Sequence, residues 1–299
     1  MNIPITEQEN PRTANIDRVS TLEAIRLIND GDRTVAAAVE KVLPEIAAAV
    51  ERIVERLQNG GRLFYVGTGT SGRLGVLDAS EVPPTFGVSY DLIQGVIAGG
   101  YDALYKATEA SEDNREAGKI DLQKRALTRK DSVIGIAASG RTPYTVGAVE
   151  YAGSLGCFTA CIACVPDSPL TGTAKIAIVP IVGAEAIAGS SRMKAGTAQK
   201  MILNMISTAA MIRLGYVTGN RMTNVKSSNA KLKERSLRIL MSETNLGEAA
   251  ARNLMNDSHG DLRVAIVTQK TGATREQAEK ALNETNFVIE NAVAALTDL

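Results

Sequence analysis

The sequence predicts a doubly wound α/β fold: a parallel five-stranded sheet flanked by helices, with a helical N-terminal segment and a small all-helical C-terminal region. Between residues 61 and 182, short apolar runs rich in β-branched residues alternate with stretches of helical periodicity. Such runs lack polar alternation, which indicates strands buried on both faces beneath helices. We expect three parts: N-terminal helices packing on the core domain (1–60), the α/β domain (61–228) and a helical C-terminal domain (229–299).

Two helical patterns precede the sheet. The first opens at a capping box formed by Ser20 and Glu23 and closes near Gly31. The second has apolar residues at helical spacing up to Leu57, and Pro44 within it should kink this helix or divide it in two.

Five apolar runs predict the strands. Because the carboxyl ends of parallel strands share one edge of a sheet, a ligand is expected at that edge. The runs are Arg62–Val66, Leu92–Ala98, Ser132–Ala137, Phe158–Val165 and Ile176–Val182.

Composition excludes several classes of function. Lys+Arg and Asp+Glu both number 33 and Trp is absent, which disfavours a nucleic-acid partner. No apolar run approaches the roughly 18 residues of a membrane span, and no signal peptide is visible, so we expect a cytoplasmic protein. Cys157, Cys161 and Cys164 lie in one apolar run and are interpreted as core thiols. His259 is the only histidine, which disfavours a multi-histidine zinc site, so we expect any acid–base chemistry to use carboxylates.

A glycine-rich loop follows the first strand. Gly67, Gly69 and Gly72 have GxGxxG spacing, and a helix start there would offer free N–H groups to an anion. A tight turn without a ligand is the simpler alternative. A dinucleotide site would need an acidic residue after the second strand, but that strand ends in glycines. The pattern therefore favours a phosphomonoester.

Two further loops carry hydroxyls at the ends of predicted elements. "SGRT" follows the third strand, and "GSSRMKAG" precedes a long apolar helix, where Ser190 and Ser191 would serve equally well as helix caps. Hydroxyls and backbone amides together suit the three oxygens of a phosphate group. The candidate ligands are Thr70, Ser71, Gly72, Ser139, Gly140, Thr142, Ser190 and Ser191.

Glu81 is the carboxylate that could act on a ligand held by the glycine loop. Glu81 is expected to close the helix that begins at the glycine loop, just before Pro83, where the helix dipole and partial burial would raise its pKa. Alternatively, Glu81 only caps the end of this helix. Glu112 stands among acidic residues, a pattern that by itself is typical of a solvated helix face.

Several long motifs resemble those of one family. "GTGTSGR" and "AASGRTPY" are similar to the phosphosugar-binding loops of the sugar isomerase (SIS) domain superfamily. Together with "STLEAIRLIND", "DASEVPPTFG", "EASEDNREAG" and "IVGAEAIAGSSRMKAGTAQKMILNM", they resemble the N-acetylmuramic acid 6-phosphate etherases between about Ile16 and Met222. Departures are confined to Val82, often Cys in the family, and Ala184, often Pro.

The resemblance implies cleavage of a D-lactyl ether from a 6-phosphorylated amino sugar in peptidoglycan recycling, with Glu81 as proton donor and Glu112 as the second catalytic carboxylate. The implied reaction needs neither a cofactor nor a metal. The role of Glu185 stays open. An aldose–ketose isomerase and a non-catalytic sensor, similar to glucokinase regulatory protein, are the alternatives. A continuous helix would separate Ser71 from Glu81 by about 15 Å. We therefore expect either an early helix break or a homodimer with sites near the subunit interface.

Overall fold

The computed structural model describes residues 3–106, 111–224 and 230–297. The chain divides into two compact units. The first comprises Met1–Ser80 and Tyr90–Thr208, and the second comprises Glu81–Ser89 and Ala209–Leu299. The domain boundary expected at 228 lies outside the described residues.

The N-terminal segment of the first unit is helical. Three 3-10 turns (Ile5–Glu7, Pro11–Thr13 and Ile16–Arg18) lead into α1 (Thr21–Asp32), α2 (Val35–Glu40) and α3 (Leu43–Gln58). The Ser20 side chain caps α1 by accepting from Glu23 N at 3.3 Å. Pro44 lies in the first turn of α3, where a missing N–H removes no helical hydrogen bond, so the predicted division of this helix is confirmed.

The five predicted strands form one parallel sheet. They are β1 (Leu63–Gly67), β2 (Ile93–Ile97), β3 (Ser132–Ile136), β4 (Phe158–Ile162) and β5 (Ile176–Ile178), in the order β2-β1-β3-β4-β5. Gly67 at the end of β1 pairs with Ile136 at the end of β3. The loops after these two central strands therefore emerge side by side. The associated helices are α4 (Gly69–Phe86), α5 (Arg115–Lys124), α6 (Pro143–Ser154), α7 (Pro169–Thr173) and α8 (Lys194–Arg213).

The three cysteines lie in the core, as predicted. Cys157, Cys161 and Cys164 are fully buried around β4 and carry no disulfide. Burial raises the pKa of Cys157 to about 11 and that of Cys161 to about 12. Because the thiolate is the reactive form, these side chains behave as apolar core residues at neutral pH.

Helix α4 is longer than the sequence indicates. It continues through Pro83 and Pro84 to Phe86, so the prediction that it closes at Glu81, and the alternative of an early break, are both wrong. The two prolines cost helical hydrogen bonds, whereas the side chains of Val82 and Phe86 are buried, which favours the longer helix. Asn224 Nδ2 also donates to the Phe86 carbonyl at 2.6 Å, which satisfies one of the helix's terminal acceptors.

The second unit is a helical cluster with one short hairpin, β6 (Val217–Thr218) and β7 (Arg221–Met222). Its helices are α9 (Ala230–Thr244), α10 (Glu248–Asp257), α11 (Leu262–Thr271), α12 (Arg275–Glu284) and α13 (Ile289–Thr297). Gly272, in the left-handed conformation, ends α11, and Thr274 with Gln277 forms the capping box of α12. Among the described residues, no helix combines the length and apolar character that crossing a membrane requires.

Candidate functional site

The turn between β1 and α4 is built by close backbone contacts. Gly72 N donates to Thr68 O at 2.9 Å, and a Cβ atom on Gly72 would lie 2.7 Å from Gly67 O. Gly69 has a φ of +49°, which a side chain would strain. The glycine spacing therefore starts a helix directly at the strand end. The first N–H groups of α4 have no intrahelical partner and lie at the positive end of its dipole.

The loop after β3 makes a second tight turn at the same edge. Gly140 has a φ of +65°, and a Cβ atom there would lie 2.1 Å from Ser168 Oγ. Ser139 Oγ accepts weakly from Arg141 N at 3.3 Å. Thr142 is the N-cap residue of α6, but its side chain makes no capping bond. The half-buried hydroxyls of Ser139 and Thr142 thus lie next to a helix start.

Glu112 joins these two loops. A Cβ atom on Gly69 would lie 3.3 Å from Glu112 Oε1, so this carboxylate lies close to the glycine turn. Its backbone carbonyl accepts from Tyr144 N, in the first turn of α6, at 3.1 Å. Glu112 is half-buried rather than on a solvated face. The structure therefore brings one predicted carboxylate to the predicted anion loop.

The third loop reaches the first through α8. A Cβ atom on Gly196 would lie 3.5 Å from Thr70 Cγ2 and 3.7 Å from Ser191 O. Ser190 and Ser191 are half-buried in the turn that precedes α8. Three loops from distant parts of the sequence thus adjoin the carboxyl edge of the sheet.

Glu185, whose role the sequence leaves open, caps α8. Its Oε2 accepts from Lys194 N at 3.0 Å and its Oε1 accepts from Ala195 N at 2.9 Å, with the side chain fully buried. Two N–H donors and the helix dipole stabilise this buried carboxylate. No sequence signal identifies such a cap, because Glu185 lies nine residues before the helix start rather than at the N-cap position.

Glu81 differs from Glu112 in its surroundings. It is exposed on α4 and belongs to the second unit, so the expected partial burial is not found. Arg73, which follows the glycine turn on α4, donates to the carbonyls of Leu104 (3.0 Å) and Lys106 (3.2 Å).

A buried polar cluster behind the first loop was missed by sequence reasoning. Asp78 Oδ1 accepts from Asn204 Nδ2 at 2.6 Å and from Ser207 Oγ at 3.1 Å, which ties α4 to α8. Burial raises the pKa of Asp78, and the two hydrogen bonds oppose that effect. Burial and the nearby Asp78 charge raise the pKa of Tyr65 on β1. The local sequence pattern around Asp78 does not predict this cluster, because its partners Asn204 and Ser207 lie more than 100 residues away.

No metal cluster adjoins these loops in the described part of the chain. Over residues 3–106, 111–224 and 230–297, no group of three or more His, Cys, Asp or Glu side chains is arranged to hold a metal ion. The site offers serine and threonine hydroxyls, backbone N–H groups and one carboxylate.

Comparison with known proteins places this chain in a family. Residues 45–153 match a family model described as the glucokinase regulatory protein N-terminal SIS domain. An N-acetylmuramic acid 6-phosphate etherase of Photorhabdus laumondii is 49% identical over 296 residues, covering 99% of this chain and 98% of the relative. One of Symbiobacterium thermophilum is 54% identical over 272 residues, covering 91% and 90%. The chain belongs to the N-acetylmuramic acid 6-phosphate etherase family.

A solved structure supports the fold of this etherase family member. A Bacteroides fragilis protein described as a candidate phosphosugar isomerase involved in capsule formation matches with a TM-score of 0.51 and 22% identity. The match covers 67% of this chain and 95% of that protein. The five-stranded parallel sheet is therefore the SIS fold that the motifs indicated.

Proposed function

We propose that this protein cleaves the D-lactyl ether of N-acetylmuramic acid 6-phosphate, giving N-acetylglucosamine 6-phosphate and D-lactate, in recycling of peptidoglycan amino sugars. The observation that carries the proposal is the position of Glu112, whose carboxylate lies close to the glycine turn at the start of α4. An acid–base group next to an anion-binding turn is what a phosphorylated substrate requires. Full-length relatives carrying this activity in their names support the same substrate.

The phosphate is anchored by the loops at the carboxyl edge. The start of α4 supplies N–H groups and the positive end of a dipole, and Thr70, Ser71 and Gly72 lie in its first turn. Ser139, Gly140 and Thr142 supply the neighbouring turn, with Ser190 and Ser191 on the third loop. These groups hold the substrate without a cofactor, which leaves the carboxylates for the chemistry.

The reaction proceeds as elimination followed by hydration on the ring-opened sugar. The C1 aldehyde acidifies the C2 proton, a carboxylate removes it, and the C3–O bond breaks as a carboxylic acid protonates the departing lactate oxygen. Water then adds across the C2–C3 double bond, with its hydroxyl at C3 and a proton returning to C2. Glu81 and Glu112 are the pair we assign to these proton transfers.

We further propose that Glu81 acts in the site of a neighbouring subunit of a homodimer. Helix α4 is unbroken, so Ser71 and Glu81 are separated by about 15 Å along the helix axis. A hexose phosphate is too short to contact both residues of one chain. Its exposure in the single chain leaves its carboxylate accessible to a second copy. The three unpaired buried cysteines support a reducing, cytoplasmic location.

The function is tested by incubating the protein with N-acetylmuramic acid 6-phosphate in ¹⁸O water. We expect D-lactate release with the heavy oxygen on the sugar, at a rate at least about 10²-fold lower in both Glu81→Gln and Glu112→Gln. Tight binding without lactate release contradicts the assignment and indicates a sensor, whereas ketose formation indicates an isomerase.

Complementation tests the shared site. Co-expressing the inactive Glu81→Gln and Glu112→Gln chains produces mixed dimers in which one site has both glutamates if each site draws on two chains. We expect activity to return in such mixtures. If mixed dimers form and stay inactive, Glu81 acts within its own chain.

A further inference from the structure

Gln199 is a buried side chain with an unused donor next to the anion loop. It lies on α8 with 1% of its surface exposed, and its Oε1 accepts from Ser71 Oγ at 3.0 Å. Its Nε2 is buried and has no hydrogen-bond partner among the described residues. Leaving a buried amide donor unpaired costs about 1–3 kcal/mol, so its retention needs a reason.

The hydrogen bond to Gln199 Oε1 also uses the only hydrogen of the Ser71 hydroxyl. A serine hydroxyl donates once and accepts through its two lone pairs. With its hydrogen directed to Gln199, Ser71 presents lone pairs to the loop and repels an incoming phosphate oxygen. This arrangement therefore opposes the role proposed for Ser71.

We propose that Gln199 is a positioning residue that lets the Ser71 hydroxyl donate its hydrogen to a phosphomonoester when this ligand binds. This inference rests on the proposed function. A half-turn of the Gln199 amide exchanges Oε1 and Nε2, so that Nε2 donates to Ser71 Oγ. The Ser71 hydrogen then turns to a phosphate oxygen. The proton count is unchanged, and a chain of two donors points at the anion.

The backbone around Gln199 fits this switch. Gly196, one turn earlier on α8, is close to Thr70 Cγ2, so this face of α8 lies against the anion loop. Glu185 caps α8, and Asp78 ties it to α4 through Asn204 and Ser207. Because both helices are fixed, rotation of the amide is the local motion that can redirect the Ser71 hydroxyl.

Gln199→Glu and Gln199→Met separate the amide donor from the shape of the side chain. Glutamate has the same shape but only accepts when ionised, so it holds the Ser71 hydrogen and places a negative charge behind the phosphate. Methionine is of similar length and leaves Ser71 free. We expect Gln199→Glu to raise KM for N-acetylmuramic acid 6-phosphate about 10²-fold with kcat within about threefold. Gln199→Met should raise KM about tenfold or less.

The pH dependence distinguishes positioning from a structural role. A protonated glutamic acid can donate to Ser71, so the KM of Gln199→Glu should recover as the pH falls, while that of Gln199→Met should not. Thermal unfolding of each variant reports folding separately. Equal KM increases in both variants, without recovery at low pH, would overturn the proposal.

A double-mutant cycle with Ser71→Ala separates this inference from the proposed function. If Gln199 acts through Ser71, Gln199→Glu should add little to the loss already caused by Ser71→Ala. Full additivity contradicts the switch while leaving the phosphate loop intact. If Ser71→Ala leaves binding of N-acetylglucosamine 6-phosphate unchanged, the assignment of the loop itself is wrong.

A measurement on the unmodified chain does not depend on any variant folding. With ¹⁵N-labelled glutamine side chains, and the Gln199 signal assigned from its loss in Gln199→Met, the amide resonance should shift and exchange more slowly with N-acetylglucosamine 6-phosphate. Unphosphorylated N-acetylglucosamine should have no such effect. A Gln199 resonance unmoved by the saturating phosphorylated sugar would contradict the switch.

Discussion

The two edges of the five-stranded sheet differ in how their charged and amide side chains are paired. At the amino edge, Asp131 and Arg62 form a network whose donors and acceptors are matched within the protein. At the carboxyl edge, Gln199 Nε2 is buried without a partner among the described residues, and Ser139 and Thr142 have weak or no side-chain caps. The Asp131–Arg62 network at the amino edge stabilises the sheet, whereas the carboxyl edge carries the side chains that we propose to bind the phosphate.

The amino-edge network is centred on one carboxylate. Asp131 accepts from Arg62 N at 2.8 Å and from Arg62 Nη2 at 2.9 Å, and Thr128 N donates to it at 2.8 Å. Arg62 also donates to the carbonyls of Arg125 and Ala126. Burial by itself would raise the pKa of Asp131, but the bonds from Arg62 and Thr128 and the Arg62 charge lower it. The network joins the starts of β1 and β3.

The largest effect is expected at the carboxyl edge, on activity alone. Glu112→Gln should lower kcat/KM by about 10²–10⁴-fold, because a positioned acid–base group contributes that much. Its thermal unfolding should stay close to the wild type. The matched control is Asp113→Asn, an exposed neighbour that should keep full activity. Equal losses in the two variants would contradict a catalytic role for Glu112.

The converse effect is expected at the amino edge. Asp131→Asn should lower the free energy of unfolding by about 2–4 kcal/mol, since it leaves Arg62 without its buried partner. The kcat/KM at 25 °C should be almost unchanged. Glu55→Gln, in an exposed pair with Arg52, is the control and should change stability by less than about 0.5 kcal/mol. A large loss of activity in folded Asp131→Asn would mean that the two edges are coupled.

A smaller effect comes from glycine geometry. Gly140→Ala combines a φ of +65° with a Cβ atom 2.1 Å from Ser168 Oγ, so it should displace the second loop. We expect KM to rise about tenfold and stability to fall by about 1–2 kcal/mol. Gly153→Ala on α6, which has nothing within 4 Å of the new Cβ, should instead stabilise by up to about 1 kcal/mol. An unchanged KM in Gly140→Ala would show that this loop does not contact the substrate.

The smallest effect concerns pH. Since the folded-state pKa of Asp131 is lowered, its contribution is present above the unfolded pKa of about 3.9 and is lost as the pH falls through the folded value. Between neutral and acid pH, the urea midpoint of the wild type should therefore fall more steeply than that of Asp131→Asn. Parallel curves would show that the Arg62 network does not favour the ionised carboxylate.

What the sequence predicts and what it misses follow from the range of the interactions. The strands and glycine turns were predicted because buried runs and positive φ angles leave local signals, as at Gly69 and Gly140. The predicted end of α4 was wrong because the helix continues through Pro83 and Pro84 to Phe86, whose side chain is buried against residues that the local pattern does not reveal. The Gln199–Ser71 contact spans 128 positions, and Asp131 meets Arg62 across 69, so local patterns cannot reveal either.

The most direct test of the account is hydrogen exchange with and without N-acetylglucosamine 6-phosphate, read by peptide mass. We predict protection of peptides covering 67–72, 138–146 and 186–196, with none at 56–62 or 125–131. Unphosphorylated N-acetylglucosamine should protect the same loops far less at equal concentration. Protection at the amino edge, or equal protection by both sugars, would contradict a phosphate site at the carboxyl edge.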